Sequence, residues 1–203
     1  MGLKVILSTL ILVATAYSNP CAARDVNLEI SRWPAATPCD VCVTFQFGVL
    51  EMHLPIQLIG RIFVSGSGPF GVHLLPQGAV DGRDSALLLS ATRDAYIGKY
   101  KALGLSSANS ISNEEFFDLL GRPAHRDDPV GKIRHIEGID IAERYVKTSK
   151  GPVHAYWIQS EPQSSQYIHI VIDGTDMIYS VAGAITPQLY TAILAGLVIR
   201  SEP

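Results

Sequence analysis

The sequence predicts an α+β fold: an antiparallel β-sheet covered by helices, in a single domain that follows a cleaved signal peptide. Three observations carry this. Apolar and polar residues alternate over short runs in the first half and again after residue 143, with Gly- and Asp-containing breaks between the runs. Helix-start signals replace that alternation in the middle of the chain and once more near its end. The resulting order of strands, helices, strands, helix suits an antiparallel sheet with helices laid on it, since a parallel sheet would alternate strand and helix throughout.

Residues 1–18 read "MGLKVILSTLILVATAYS", with Lys4 ahead of an apolar run from Val5 to Tyr17 and small residues behind it. This is the layout of a secretory signal peptide, and cleavage after Ala16 or Ser18 fits the small-x-small rule. The run falls short of the roughly 20 residues a spanning helix needs, so no stable transmembrane anchor is expected. A lipoprotein site at Cys21 is the competing reading, but Ser18, Asn19 and Pro20 before it do not supply the small and aliphatic residues such a site uses. Residues 19–38 form a lead-in with one short strand in "VNLEI", and residues 39–203 form the α+β domain.

In "CVTFQFGVLEMHL" Val43, Phe45 and Phe47 share one face, and after Gly48 the apolar set becomes Leu50, Met52 and Leu54. A parity switch at glycine predicts a bulge or bend within one strand. "GRIFVSGSG" and "FGVHLLP" read as two strands joined by a Gly/Ser loop, and "SALLLSAT" as another. The period then lengthens: "RDAYIGKYKALGL" places Tyr96, Tyr100 and Leu103 on one side of a helix ended by Gly104. Ser112 and Glu115 make a capping box for "NEEFFDLLG", which Gly121 and Pro123 stop. "RPAHRDDPVGK" reads as a polar loop. Two hairpins follow, turning near Gly151 and at residues 173–176. Thr186-Pro187 then caps a helix carrying Leu189, Ile193 and Leu197 on one face, and "VIR" is a last edge strand.

The stretch "YIHIVIDGTDMIYSVAGAITPQLYTAILAGLVIR" resembles the end of PsbP-like α/β/α sandwich proteins in its hairpin, Thr-Pro-capped helix and terminal strand. The likeness covers about 35 residues and brings no catalytic residue with it. It implies an accessory or binding module.

Bulk properties narrow the function. The net charge is −3 with no basic block, which argues against nucleic acid or an anionic membrane surface as main partner. Hydrophobic residues make up 47% and charged residues 17%, which excludes disorder for most of the chain.

Cys39-x-x-Cys42 precedes a strand rather than a helix N-terminus, so it lacks the setting that stabilises a redox thiolate. One further cysteine, Cys21, is too few for a zinc framework. A disulfide staple between Cys39 and Cys42, suited to an oxidising compartment, is the expected role. The densest polar group is His125, Arg126, Asp127 and Asp128, readable as a solvated loop or as a general base or ion ligand. Each strand histidine is expected to be half-exposed. His169, sharing a face with Tyr167, and Trp157, near Tyr156, complete the candidate binding set. No nucleophile elbow, metalloprotease helix or phosphate loop occurs, so no catalytic residue, metal or cofactor is assigned.

Two functional expectations follow. The first is an exported, periplasmic or secreted, non-catalytic binding or accessory protein, of immunity or inhibitor type, with a protein partner in the cell envelope. The alternative is a small hydrolase or metal-dependent enzyme joining the loop 125–128 to the sheet histidines.

Overall fold

The computed structural model describes residues 26–36, 39–65, 70–79, 84–105, 110–161 and 164–200. Residues 1–18, where a signal peptide is expected, the expected cleavage sites and Cys21 lie outside the described residues. The strands are β1 (Leu28–Arg32), β2 (Cys42–Phe47), β3 (Leu50–Pro55), β4 (Arg61–Ser65), β5 (Gly71–Leu75), β6 (Ala86–Thr92), β7 (Arg144–Lys150), β8 (Val153–Gln159), β9 (Gln166–Ile172), β10 (Met177–Gly183) and β11 (Leu197–Ile199). The helices are α1 (Arg93–Ile97), extended by a 3₁₀ segment (Gly98–Leu103), α2 (Asn113–Leu120), α3 (Pro129–Ile136) and α4 (Pro187–Ala195).

An eight-stranded sheet runs in the order β1-β7-β8-β9-β10-β6-β5-β4, and a three-stranded sheet in the order β11-β3-β2. The class is α+β with two mostly antiparallel sheets. The exception is β1, which pairs parallel to β7 from Leu28 opposite Tyr145 to Arg32 opposite Ser149. The expected single sheet is therefore two, because the stretch after Cys42 is a hairpin and not one bent strand. Phe47 pairs Leu50, leaving Gly48 and Val49 as a two-residue loop with positive φ at Gly48 alone, the pattern of a type II′ turn. A Cβ on Gly48 would also stand 2.7 Å from the Tyr179 hydroxyl.

Strand alternation sorts the core into two. Val153, Ala155, Trp157, Ile168, Ile170 and Val181 face the small sheet and α4, where Leu50, Met52, Leu54, Leu189 and Ile193 close over them. Tyr145, Tyr156, Ile158, Val171 and Ile178 face the other way, against Phe116, Phe117, Tyr100 and Ile133 of the helical layer. The central strands are thus buried on both faces, as β8 is along nearly its whole length.

The helix ends follow their local chemistry. Ser112 and Glu115 form the capping box reciprocally, and Thr92 and Thr186 each accept an N–H three residues on. One expectation changes here: the polar loop stops at Asp128, and Pro129 opens α3 at its first position, where a missing N–H costs nothing. Gly131 lies against the preceding loop, since a Cβ there would fall 2.0 Å from the His125 carbonyl oxygen. Leu197, expected on the last helix, belongs instead to β11, because Gly196 ends α4.

Candidate functional site

The loop from residue 122 to 128 is tied to the fold by its backbone, with Arg134 donating to the Arg122 carbonyl at 2.9 Å, while its candidate side chains face outward. Asp127 donates its N–H to His125 Nδ1 at 3.4 Å, and their side chains are 76% and 88% exposed. Arg126 and Asp128 are exposed as well. The Asp128 N–H donates to the His125 carbonyl at 3.0 Å, a backbone turn feeding α3. None of the sheet histidines takes a partner from this loop among the described residues. The alternative expectation placed the loop and those histidines in one site, and the structure does not bring them together.

Trp157 is likewise not part of a surface patch. It is buried on the small-sheet face, stacked on Tyr190 with ring centres 4.2 Å apart, and donates Nε1–H to Gln166 Oε1 at 3.1 Å. Tyr156, one residue away, must point to the opposite face because side chains alternate along a strand.

The histidines divide. His53 on β3 is partly exposed, as expected, with Thr44 Oγ1 at 3.0 Å from Nδ1 and Glu51 Oε1 at 2.8 Å from Nε2. Glu51 is also paired with Arg200. His154 and His169 differ from expectation: both are buried, because the helical layer covers the face they share.

His154 lies beside Glu114 and Asp173, a trio whose ligand atoms fall within 4.8 Å of one another. Asp173 faces Nε2 at 3.2 Å while Glu114 faces Nδ1 at 3.4 Å. The carboxylates sit on opposite ring nitrogens instead of converging with one nitrogen on a point. A cation is already supplied: Lys147 Nζ donates to Glu114 Oε1 at 2.7 Å and to Asp118 at 2.8 Å. Burial works against that ammonium, yet the two carboxylates hold its pKa above the ordinary lysine value.

Two of the concavities among the described residues bear on function. The larger, about 690 Å³, lies between α4 and the end of the small sheet, with Cys39, Cys42, Pro55, Leu58, Ala195 and Val198 in its walls. The Cys39 and Cys42 sulfurs are at bonding distance with Cα atoms 5.7 Å apart, and Cys42 opens β2, so the pair fixes one corner of this cleft. Its helix wall is low because Thr191, Ala192 and Ala195 are small. Gly196 lets the chain pass the His53 carbonyl, which a Cβ would meet at 2.0 Å.

The second, about 390 Å³, opens on the opposite face where the helices stop short of β10 and β6. Leu89, Ala91 and Ala182 give it apolar walls, and Ser180, His169, Glu137, Tyr96 and Lys99 its polar side. His169 Nδ1 is 2.9 Å from Ser180 Oγ, while Nε2 is 3.4 Å from the Tyr96 hydroxyl and 3.6 Å from Glu137 Oε2. Glu137 accepts from Tyr96 at 2.6 Å, from Lys99 at 3.3 Å and from Tyr100. Burial drives the His169 pKa down to about 4, so the imidazole is neutral near pH 7. Burial and the adjacent Glu137 push the Tyr96 hydroxyl well above the usual phenol range. Sequence reading singled out His169 but none of these partners.

No protein-family model matches this chain, and no curated protein matches it.

Proposed function

We propose that this is an exported binding or accessory protein that holds a protein partner at the cleft beside the Cys39–Cys42 corner. The observation that carries the reading is the cleft itself: about 690 Å³, with mostly apolar walls and open to the surface. Val198 in its wall is 45% exposed, and the apolar character continues outside it, where Val41 and Ile56 are 55% and 44% exposed. Clustered apolar exposure of this kind marks interaction surfaces. A protein side-chain cluster suits it better than a small ligand, which would be enclosed on more sides.

Supporting the exported setting are the signal-peptide layout of residues 1–18 and a cysteine pair suited to an oxidising compartment. Among the described residues no helix is long and apolar enough to cross a membrane. The PsbP-like pattern of the last 35 or so residues implies the same class of accessory module. An immunity- or inhibitor-type role towards another envelope protein is the concrete form of the proposal.

The test is crosslinking of the tagged full chain in envelope extract, repeated with Thr191→Trp. Thr191 is exposed on α4 and lines the cleft, so indole there fills it without touching the core. The expected result is a specific partner that Thr191→Trp releases at unchanged melting temperature. A partner retained by Thr191→Trp, or none at all, would overturn the proposal.

A further inference from the structure

The smaller concavity carries an arrangement with a defined proton polarity. Tyr96 spends its hydroxyl proton on Glu137 Oε2, 2.6 Å away, so its oxygen can only accept from His169. Glu137, accepting from Tyr96, Tyr100 and Lys99, is an acceptor on every side. Both groups facing His169 Nε2 therefore want a proton from it, at 3.4 and 3.6 Å. A neutral imidazole has one N–H to give. With it on Nε2, Nδ1 is bare and faces Ser180 Oγ at 2.9 Å, and the serine hydroxyl donates to it. Ser180, on β10 directly opposite His169 on β9, is partly exposed and lines the concavity. A hydroxyl held on a bare imidazole nitrogen, whose other N–H meets the Tyr96 hydroxyl that Glu137 in turn fixes, follows the chemical order of a serine–histidine–acid centre with one hydroxyl between base and acid.

We propose that Ser180 is a nucleophile towards small apolar acyl esters, with His169 as its general base and Glu137, acting through the Tyr96 hydroxyl, as the residue that positions the imidazole. The Ser180 oxygen bonds the ester carbonyl carbon as its proton passes to His169 Nδ1. The same proton leaves with the departing alcohol, which breaks the original C–O bond. Water then attacks the acyl-serine, gives a proton to Nδ1, and releases the carboxylic acid with the serine hydroxyl restored. No oxidant or reductant enters. The apolar walls of Leu89, Ala91 and Ala182 suit a short acyl chain, and Lys99 is the cation lining the site for the transient oxyanion. The backbone N–H groups of β10 at Ser180 are committed to the sheet, so the oxyanion has to use a side chain. The inference is independent of the cleft reading, which concerns the other face of the sheet; a turning-over Ser180 would confine the non-catalytic description to that cleft.

The experiment treats the full chain with a fluorophosphonate probe and maps the adduct by peptide mass. The expected result is one adduct on Ser180, absent from Ser180→Ala, with labelling slowed about 100-fold in His169→Asn, the size of a lost general base. Should His169→Asn not fold, the pH dependence of wild-type labelling decides. The titratable and polar groups facing His169 are Glu137, Tyr96, Lys99, Tyr156, Tyr167 and Ser180, and with a base pKa of about 4 the rate should be level above about pH 5 and fall below it. No adduct on Ser180, equal labelling of folded His169→Asn, or a rate climbing tenfold per pH unit to alkaline pH would overturn the proposal and leave Ser180 a structural hydrogen-bond donor.

Discussion

At the scale of single residues, His169 is where burial and charge meet most directly. Its imidazole is enclosed by Phe117, whose ring stacks on it at 4.9 Å, and by Tyr96 edge-on at 5.4 Å. The neighbouring Glu137 favours the imidazolium, Lys99 disfavours it, and desolvation outweighs both, leaving a pKa of about 4 against 6.5 for a free histidine. The unfolded chain therefore binds a proton that the folded chain refuses between those values, so stability falls on acidification. The contribution is fully present above about pH 6.5 and is lost progressively as pH drops towards 4. A difference of that size corresponds to about 3 kcal/mol. Urea unfolding at pH 7, 5.5 and 4.5 should show this decline, and folded His169→Asn should flatten it; a wild-type profile as flat as that of the variant would refute a buried neutral imidazole.

Among elements, the hairpins show what was legible and what was not. The turn at residues 173–176 was readable from Asp, Gly and Thr, and that turn alone implies the register that sets His169 against Ser180. The signal for the pair was thus present in the sequence, one inference beyond the turn. At Gly48 the same step failed earlier: a parity change was read as a bend, although a two-residue hairpin inverts parity too and would have set Thr44 opposite His53. Glu137 was beyond reach, because it arrives from the end of α3, and nothing local says where a helix lands on a sheet. α3 itself is absent from the sequence expectation, which has a polar loop over residues 122–132 followed by strands, since Pro129 signals a loop and a helix start equally well. Its start is also geometrically tight. Gly131→Ala would bring a methyl group 2.0 Å from the His125 carbonyl oxygen, a backbone atom that cannot swing aside. The expected cost is about 1–3 kcal/mol, with loosening of loop 122–128 detectable as faster amide exchange at Asp128; a variant as stable as wild type would mean that loop is free to move away.

For the whole molecule, the decisive fact is that one sheet serves two cores. Class and element order were legible because period-2 and longer patterns survive in single segments. The presence of two sheets was not, and neither was burial of His154 and His169, since both depend on which layer covers which face. Tyr156 and Trp157 make the coupling plain: adjacent on β8, they enter opposite clusters. Damage to either layer must then reach the other through the shared strands. α4 offers the sharpest perturbation, because Ile193 is fully buried against the small-sheet face, and the Trp33 indole donates to the Leu194 carbonyl at 3.0 Å. Ile193→Asp would bury a carboxylate without a partner, a change expected to cost more than about 4 kcal/mol. Trp33 and Trp157 both lie on that side, whereas α1, α2 and α3 lie on the other. Tryptophan fluorescence and far-UV ellipticity should therefore give one coincident urea midpoint in wild type, as a single cooperative unit requires. Both should lose their transition together in Ile193→Asp, while the control Ile141→Asp, at a 66% exposed position, should stay within about 0.5 kcal/mol of wild type. Helical ellipticity that melts normally in Ile193→Asp while the fluorescence transition is gone would show that the helical layer stands without the small sheet, and that the central strands do not couple their two faces.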